Sequence, residues 1–184
     1  MFANSFTVDT LLQIMETFAD DFRNLAADTL TYMLRSEVGF SMDILRLFKE
    51  LGGSEKLITL MTSTKSENVK GRLLVLLQTL TSGDDQDILA DLHDFNIVPL
   101  LLQLLVAISD GKEQKSAPAL MGSILTTLTN LSLNDQNNVS IRIHGAHIIG
   151  GILMQNCPSL STGDMVLVDS KKHYSEDASD NIKI

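Results

Sequence analysis

The sequence predicts an all-α chain made of repeated helical units, and three observations carry that reading. Apolar residues recur at helical spacing from Thr7 to about Asn156, whereas no alternating apolar–polar run is long enough for a strand except a short piece at 165–168. Turn-forming residues interrupt the pattern at short intervals: Gly39, Gly52-Gly53, Ser82-Gly83-Asp84-Asp85, Asp110-Gly111 and Asn134-Asp135. Three segments also align without gaps, opening at Gly52, Asn96 and, in a looser match, Gly145, which are 44 and 49 residues apart.

Taken in order, the spacing predicts helices over 7–19 and 20–36, the second with Phe22, Ala26, Leu30, Met33 and Leu34 on one stripe. Helices over 40–51 and 54–62 flank the glycine pair. Val69, Leu73, Leu76, Leu77 and Leu80 make the stripe of a helix over 67–81. Asp84 and Asp85 then suit the N-terminus of a helix over 86–94, where their charge complements the dipole. Ile97, Leu101, Leu104, Leu105 and Ile108 repeat the stripe over 97–109, and Leu120, Ile124, Leu128 and Leu131 over 116–133, with Met121 and Leu125 beside it. Pro99 and Pro118 fall in opening turns, where a missing N–H costs little. Helices over 137–144 and 146–156 close the series. The domain expected is therefore 1–157, followed by a polar, mostly disordered tail over 158–184 that is rich in Ser, Asp and Lys.

Composition bounds what such a chain can be. It has 184 residues, 44% hydrophobic and 20% charged, with no Trp and three Pro, which excludes a disordered chain, a collagen-like fibre and a disulfide-stapled miniprotein. One cysteine, Cys157, allows no internal bridge, so an intracellular, reducing location is expected: the cytoplasm, with the nucleus kept open. Polar residues break every apolar run before membrane-spanning length, and residues 1–5 lack a signal peptide's basic and apolar regions, so no membrane partner is expected. The net charge of −9 argues against nucleic acid, because 14 basic residues are scattered among 23 acidic ones. The same charge favours a basic protein or peptide partner.

The segment spacing lies near the period of roughly 40–47 residues of paired- or triple-helix solenoids. Within that frame Ile124-Leu125-Thr126-Thr127-Leu128-Thr129-Asn130-Leu131-Ser132-Leu133-Asn134-Asp135, then Val139, Ile143 and Gly145-Ala146, resembles an armadillo repeat. Weaker echoes run from Leu76 to Pro99 and from Phe22 to Gly53, giving about three repeats plus a partial terminal one over 7–156. HEAT repeats, which lack the separate short first helix, are the nearest alternative.

The resemblance implies a right-handed superhelix of three-helix units whose third helices line a concave groove. It also implies that Asn130, at the family's peptide-clamping position, belongs to that groove, with Thr126 where the family carries a flanking Trp. The equivalents one and two units earlier are Thr79 and Met33, and Ser123, Val75 and Arg72 complete the candidate set. With no Trp in the chain, the aromatic ladder that grips lysine side chains in nuclear-import receptors is missing. Asn130 has two readings, one in which its amide clamps a partner's backbone and one in which it ties its own helix to the next loop.

Other chemistry-bearing residues read as structural. His144 and His147 are spaced i, i+3, but no third ligand stands at metal-binding spacing, so no metal is expected. Cys157 before Pro158 lacks an activating neighbour. Asp84, Asp85, Asp87, Asp91 and Asp94 lack the Gly and terminal Glu of a calcium loop and read as a solvated ridge. No phosphate-binding, dinucleotide or hydrolase motif is present, so neither cofactor nor catalysis is expected.

The expectation is a non-catalytic scaffold or adaptor holding a protein or extended peptide on an armadillo-type concave surface. The alternative is a regulatory fragment or splice form of a larger protein, such as an armadillo-bearing kinase. Past Asn156 the long third helix of the last unit never appears. Ile148, Ile152 and Leu153 are therefore expected to form an incompletely covered terminal face, open to self-association or to docking of the tail.

Overall fold

In the computed structural model, residues 5–35, 41–83, 85–110 and 117–156 are described, and among them there is no strand. The chain divides into two compact units, Met1–Ile149 and Gly150–Ile184. The fold is all-helical. The expected tail over 158–184, its boundary at 157/158, the short piece at 165–168, Asp84 and Cys157 all lie outside the described residues.

The helices are α1 (Ser5–Thr17), α2 (Asp20–Arg35), α3 (Ser41–Glu50), α4 (Gly53–Ser63), α5 (Glu67–Leu80), α6 (Gln86–Asp94), α7 (Ile97–Ser109), α8 (Ala117–Leu131), α9 (Asp135–Ser140) and α10 (Ala146–Asn156). A π-turn, Ile141–Gly145, joins the last two. The caps follow local chemistry. The Asp85 carboxylate accepts from the N–H groups of Asp87 and Ile88 at 3.0 and 3.2 Å, and Asn134 Oδ1 accepts from Asn137 N–H at 3.2 Å. Ser66 caps α5 through Val69 N–H.

Two helices open on a left-handed residue instead. Gly52 (φ 68, ψ 30) precedes α4, and Asn96 (φ 59, ψ 40) precedes α7. Glycine enters this region freely and asparagine is the non-glycine residue that tolerates it best, so the chain turns sharply at both points. The turn from α6 into α7 is 72°. These are the first two of the three aligned openings. The third, Gly145, has no positive φ and lies inside the π-turn.

Packing in the first unit proceeds in steps of three helices. α2 lies on α5 and α5 on α8; α3 lies on α6 and α6 on α9; α1 rests on α4. Side-chain bonds cross these steps at nearly constant sequence separation. Arg35 Nε donates to Thr79 Oγ1 and Arg72 Nη1 pairs with Asp28, each across 44 residues. Asn137 Nδ2 donates to the Leu89 carbonyl across 48 residues, and Asn130 Nδ2 to Thr81 Oγ1 across 49. The core comes from one stripe per helix, including Leu12, Leu30, Phe48, Leu57, Leu73, Leu77, Leu89, Leu101 and Ile124. Burying each such side chain stabilises by about 1.5–3 kcal/mol.

Where the expected stripes fail, the residue is on a second face of its helix. Ala26, Leu30 and Leu34 are buried as expected and Met33 is half-buried, but Phe22 is 55% exposed. Val139 and Ile143, two of the residues that carry the armadillo resemblance, are 53% and 64% exposed. The single helix expected over 137–144 is the short α9 followed by the π-turn.

Candidate partner-binding surface

The candidate groove residues lie on α2, α5 and α8, the helices that form one three-step series. On α8, Thr126 is exposed, Ser123 and Asn130 are half-buried, and Thr127 between them is fully buried, its hydroxyl donating back to the Ser123 carbonyl at 2.8 Å. On α5, Arg72 is exposed while Val75 and Thr79 are half-buried, with the Thr79 hydroxyl donating to the Val75 carbonyl at 2.9 Å. Met33 on α2 is half-buried.

Neighbouring helices hold several of these side chains in place. The Thr79 hydroxyl that donates to Val75 also accepts from Arg35, so it bridges α5 and α2. Arg72 and Asp28 pair at 3.3 Å with both side chains about half exposed, an ion pair worth at most about 1 kcal/mol. Asn130 bonds Thr81 Oγ1 at 3.3 Å, and the buried Thr81 hydroxyl donates in turn to the Leu77 carbonyl. Asn130 thus ties α8 to the end of α5, one step back in the series, while its amide keeps a further donor and acceptor capacity.

Two features had no place among the sequence candidates. Asn137 is fully buried and joins α9 to α6: its Nδ2 donates to the Leu89 carbonyl at 2.8 Å, and its Oδ1 lies 3.3 Å from His93 Nδ1. The signal for it was the 49-residue spacing of the caps Asp85 and Asn134, which sets Asn137 in register with buried Ile88. The second feature is the exposed row of Phe22, Leu25 and Tyr32 on α2. Its 22–25–32 spacing is helical, but it stood beside the stronger stripe of Ala26, Leu30 and Leu34.

The terminal-face candidates separate: Ile148 is half-buried, Ile152 is buried, and Leu153 is exposed. His144 and His147 are both exposed, and among the described residues no three His, Cys, Asp or Glu side chains gather as they would around a metal. A cleft of about 330 Å³ between α3 and α6 is lined by Met42, Asp43, Arg46, Lys49, Asp87 and Ile88. Lys49 and Asp87 stand 4.0 Å apart at its rim, both open to solvent. It is a mixed-charge surface cleft. Among the described residues no single helix is long and apolar enough to cross a membrane. Compared with known proteins, the chain matches no family model, no curated protein and no solved structure.

Proposed function

We propose that this chain is a non-catalytic interaction scaffold of armadillo type, taking an extended protein segment along the surface formed by α2, α5 and α8. The observation that carries the proposal is the three-helix step of the packing, with cross-step bonds at separations of 44, 48 and 49 residues. Equivalent helices set side by side at a regular interval suit a chain with its own regular repeat, such as a peptide backbone. The polar side chains on this surface are held by neighbours one step away, as Asn130 is by Thr81 and Thr79 by Arg35, and that lowers the ordering cost of binding. The net charge of −9 favours basic segments through steering.

The test uses peptides selected from a random display library on the intact chain. Selected peptides protect α5 and α8 amides from hydrogen exchange, are enriched in Lys and Arg, and lose at least tenfold in affinity on Thr126→Arg. Thr126 is exposed, so that replacement leaves the melting temperature in place. Peptides that protect another surface, or that bind Thr126→Arg unchanged, defeat the proposal.

A further inference from the structure

Along the seam between α2 and α5, contacting side chains keep one register: residue i of α2 meets residue i+44 of α5, as Asp28 with Arg72 and Arg35 with Thr79. Members of each helix's pair are seven residues apart, two turns, so both contacts lie on one side of the seam. Charge along it is matched level by level until the last. The Asp28 carboxylate pairs with Arg72 at 3.3 Å, and seven residues earlier the same register sets Asp21 against Lys65. Seven residues later it sets Arg35 against Thr79, a hydroxyl where a carboxylate would balance the charge. Elsewhere on these helices Asp20 pairs with Arg23, Glu67 and Lys70 offset one another on α5, and α8 carries no ionisable side chain at all. Among the described residues no carboxylate stands at ion-pair distance from Arg35.

Arg35 is exposed, yet its orientation is fixed. Its Nε donates to Thr79 Oγ1 at 3.2 Å, and the Thr79 hydroxyl is itself anchored on the Val75 carbonyl. That contact uses one of five N–H donors and leaves both Nη nitrogens, the fork that takes a carboxylate through two parallel bonds. A guanidinium already oriented loses little further freedom on binding. We propose that Arg35 determines the specificity of the α2–α5–α8 surface, and that the bound segment places an Asp or Glu side chain on its guanidinium. The inference rests on the reading of that surface as a peptide groove. The net charge of −9 acts at long range and enriches Lys and Arg in the segments that approach, whereas Arg35 acts at contact and fixes one acidic position within such a segment. Arg35 also lies in the last turn of α2, where a cation favours the helix, but that role is indifferent to the charge of a partner.

The test takes peptides selected on the intact chain from the random display library, resynthesised with amidated C-termini so that only side chains supply carboxylates. Their aligned sequences hold Asp or Glu at one position. Exchanging that residue for Asn or Gln lowers affinity about tenfold, as the loss of a charge-assisted hydrogen bond does. Arg35→Gln lowers it by the same factor, and the two changes together lose no more than either alone. Arg35→Glu reverses the preference, binding the peptide with Lys at that position more tightly than the parent peptide. Should the end of α2 weaken without its cation, the peptide exchange on the unaltered chain decides by itself. An alignment with no acidic position, an amide peptide that binds as tightly as its parent, or losses that multiply overturn the proposal, while protection of α5 and α8 and the loss on Thr126→Arg still uphold the groove. Peptides that leave α5 and α8 unprotected defeat the groove reading itself, and this proposal with it.

Discussion

The passage from α6 into α7 and the passage from α9 into α10 begin alike and end differently. Asp85 caps α6 and Asn134 caps α9, each through a side-chain oxygen on N–H groups two or three residues on. After α6 the chain reaches Asn96 in the left-handed region and turns by 72°. After α9 it runs through the π-turn and continues as α10, although Gly145 could have taken the left-handed conformation at least cost. What differs is the surroundings. α7 packs against both α6 and α8, and that cover holds the bend. Gly145 instead lies beneath Leu102, where a Cβ would stand 3.3 Å from Leu102 Cδ2, so its small size is used for close approach rather than for a turn. A residue's conformational freedom is thus spent on whatever its neighbours require.

The largest effects come from cutting the core of the two passages. Leu89 on α6 is fully buried, and Leu89→Ala is expected to destabilise by about 2–5 kcal/mol in chemical denaturation; Leu128→Ala on α8 falls in the same range. Ile143→Ala, in the corresponding part of the last step, changes stability by no more than about 0.5 kcal/mol because the side chain is already in solvent. Equal losses at Leu89 and Ile143 would erase the contrast between the two passages.

Asn137 tests the polar replacement at the heart of α9. Asn137→Ala leaves the buried Leu89 carbonyl without its side-chain donor and is expected to cost about 1–3 kcal/mol. Asn137→Leu, which resembles Ile88 in the previous unit, loses the same bond and does not restore the wild-type melting temperature. A leucine variant at least as stable as the parent would mean that burial, not the hydrogen bond, is what matters at this site.

How much of this was legible in the sequence depends on the range of the interaction concerned. The helix stripes over Val69–Leu80 and Ile97–Leu105, and the Asp85 cap, are set by neighbours within a few residues, and their positions were readable. Phe22 was misassigned because helical spacing marks a stripe without saying which of two stripes on a helix meets the core. The Thr81 partner of Asn130 and the Leu89 partner of Asn137 lie 49 and 48 residues away, and single-sequence spacing cannot name them. The left-handed turn at Asn96 was foreshadowed only by its alignment with Gly52. That alignment extended more loosely to Gly145, where the structure departs from it.

The turn at Asn96 sets the next contrast. Asn96→Ala puts a Cβ residue with no special tolerance into φ 59 and is expected to cost about 1–2 kcal/mol, the usual penalty for the left-handed region. Asn96→Gly is expected to be neutral or slightly stabilising, since no side-chain cap bond is lost. A stability loss on Asn96→Gly as large as on Asn96→Ala would show that the asparagine side chain, rather than its backbone, carries the position.

The smallest expected effect is a gain, and it lies in α10. Gly150 and Gly151 sit in the middle of this helix, where glycine is about 0.5–1 kcal/mol worse than alanine because of the backbone entropy it loses. By contrast, Gly53 opens α4 with its Cα against the buried Phe48 ring, where an added Cβ would meet ring carbons at 2.7 Å, so Gly53→Ala destabilises. At Gly150 and Gly151 an added Cβ meets nothing within 4 Å, so the propensity gain is unopposed. Gly150→Ala is therefore expected to raise the melting temperature by about 1–4 °C, as a gain below 1 kcal/mol does in a chain of this length. The direction of the shift also reports on cooperativity. Should helicity rise on Gly150→Ala while the melting temperature stays fixed, α10 unfolds apart from the helices before it, because a local gain reaches the global transition only when the segment melts with it.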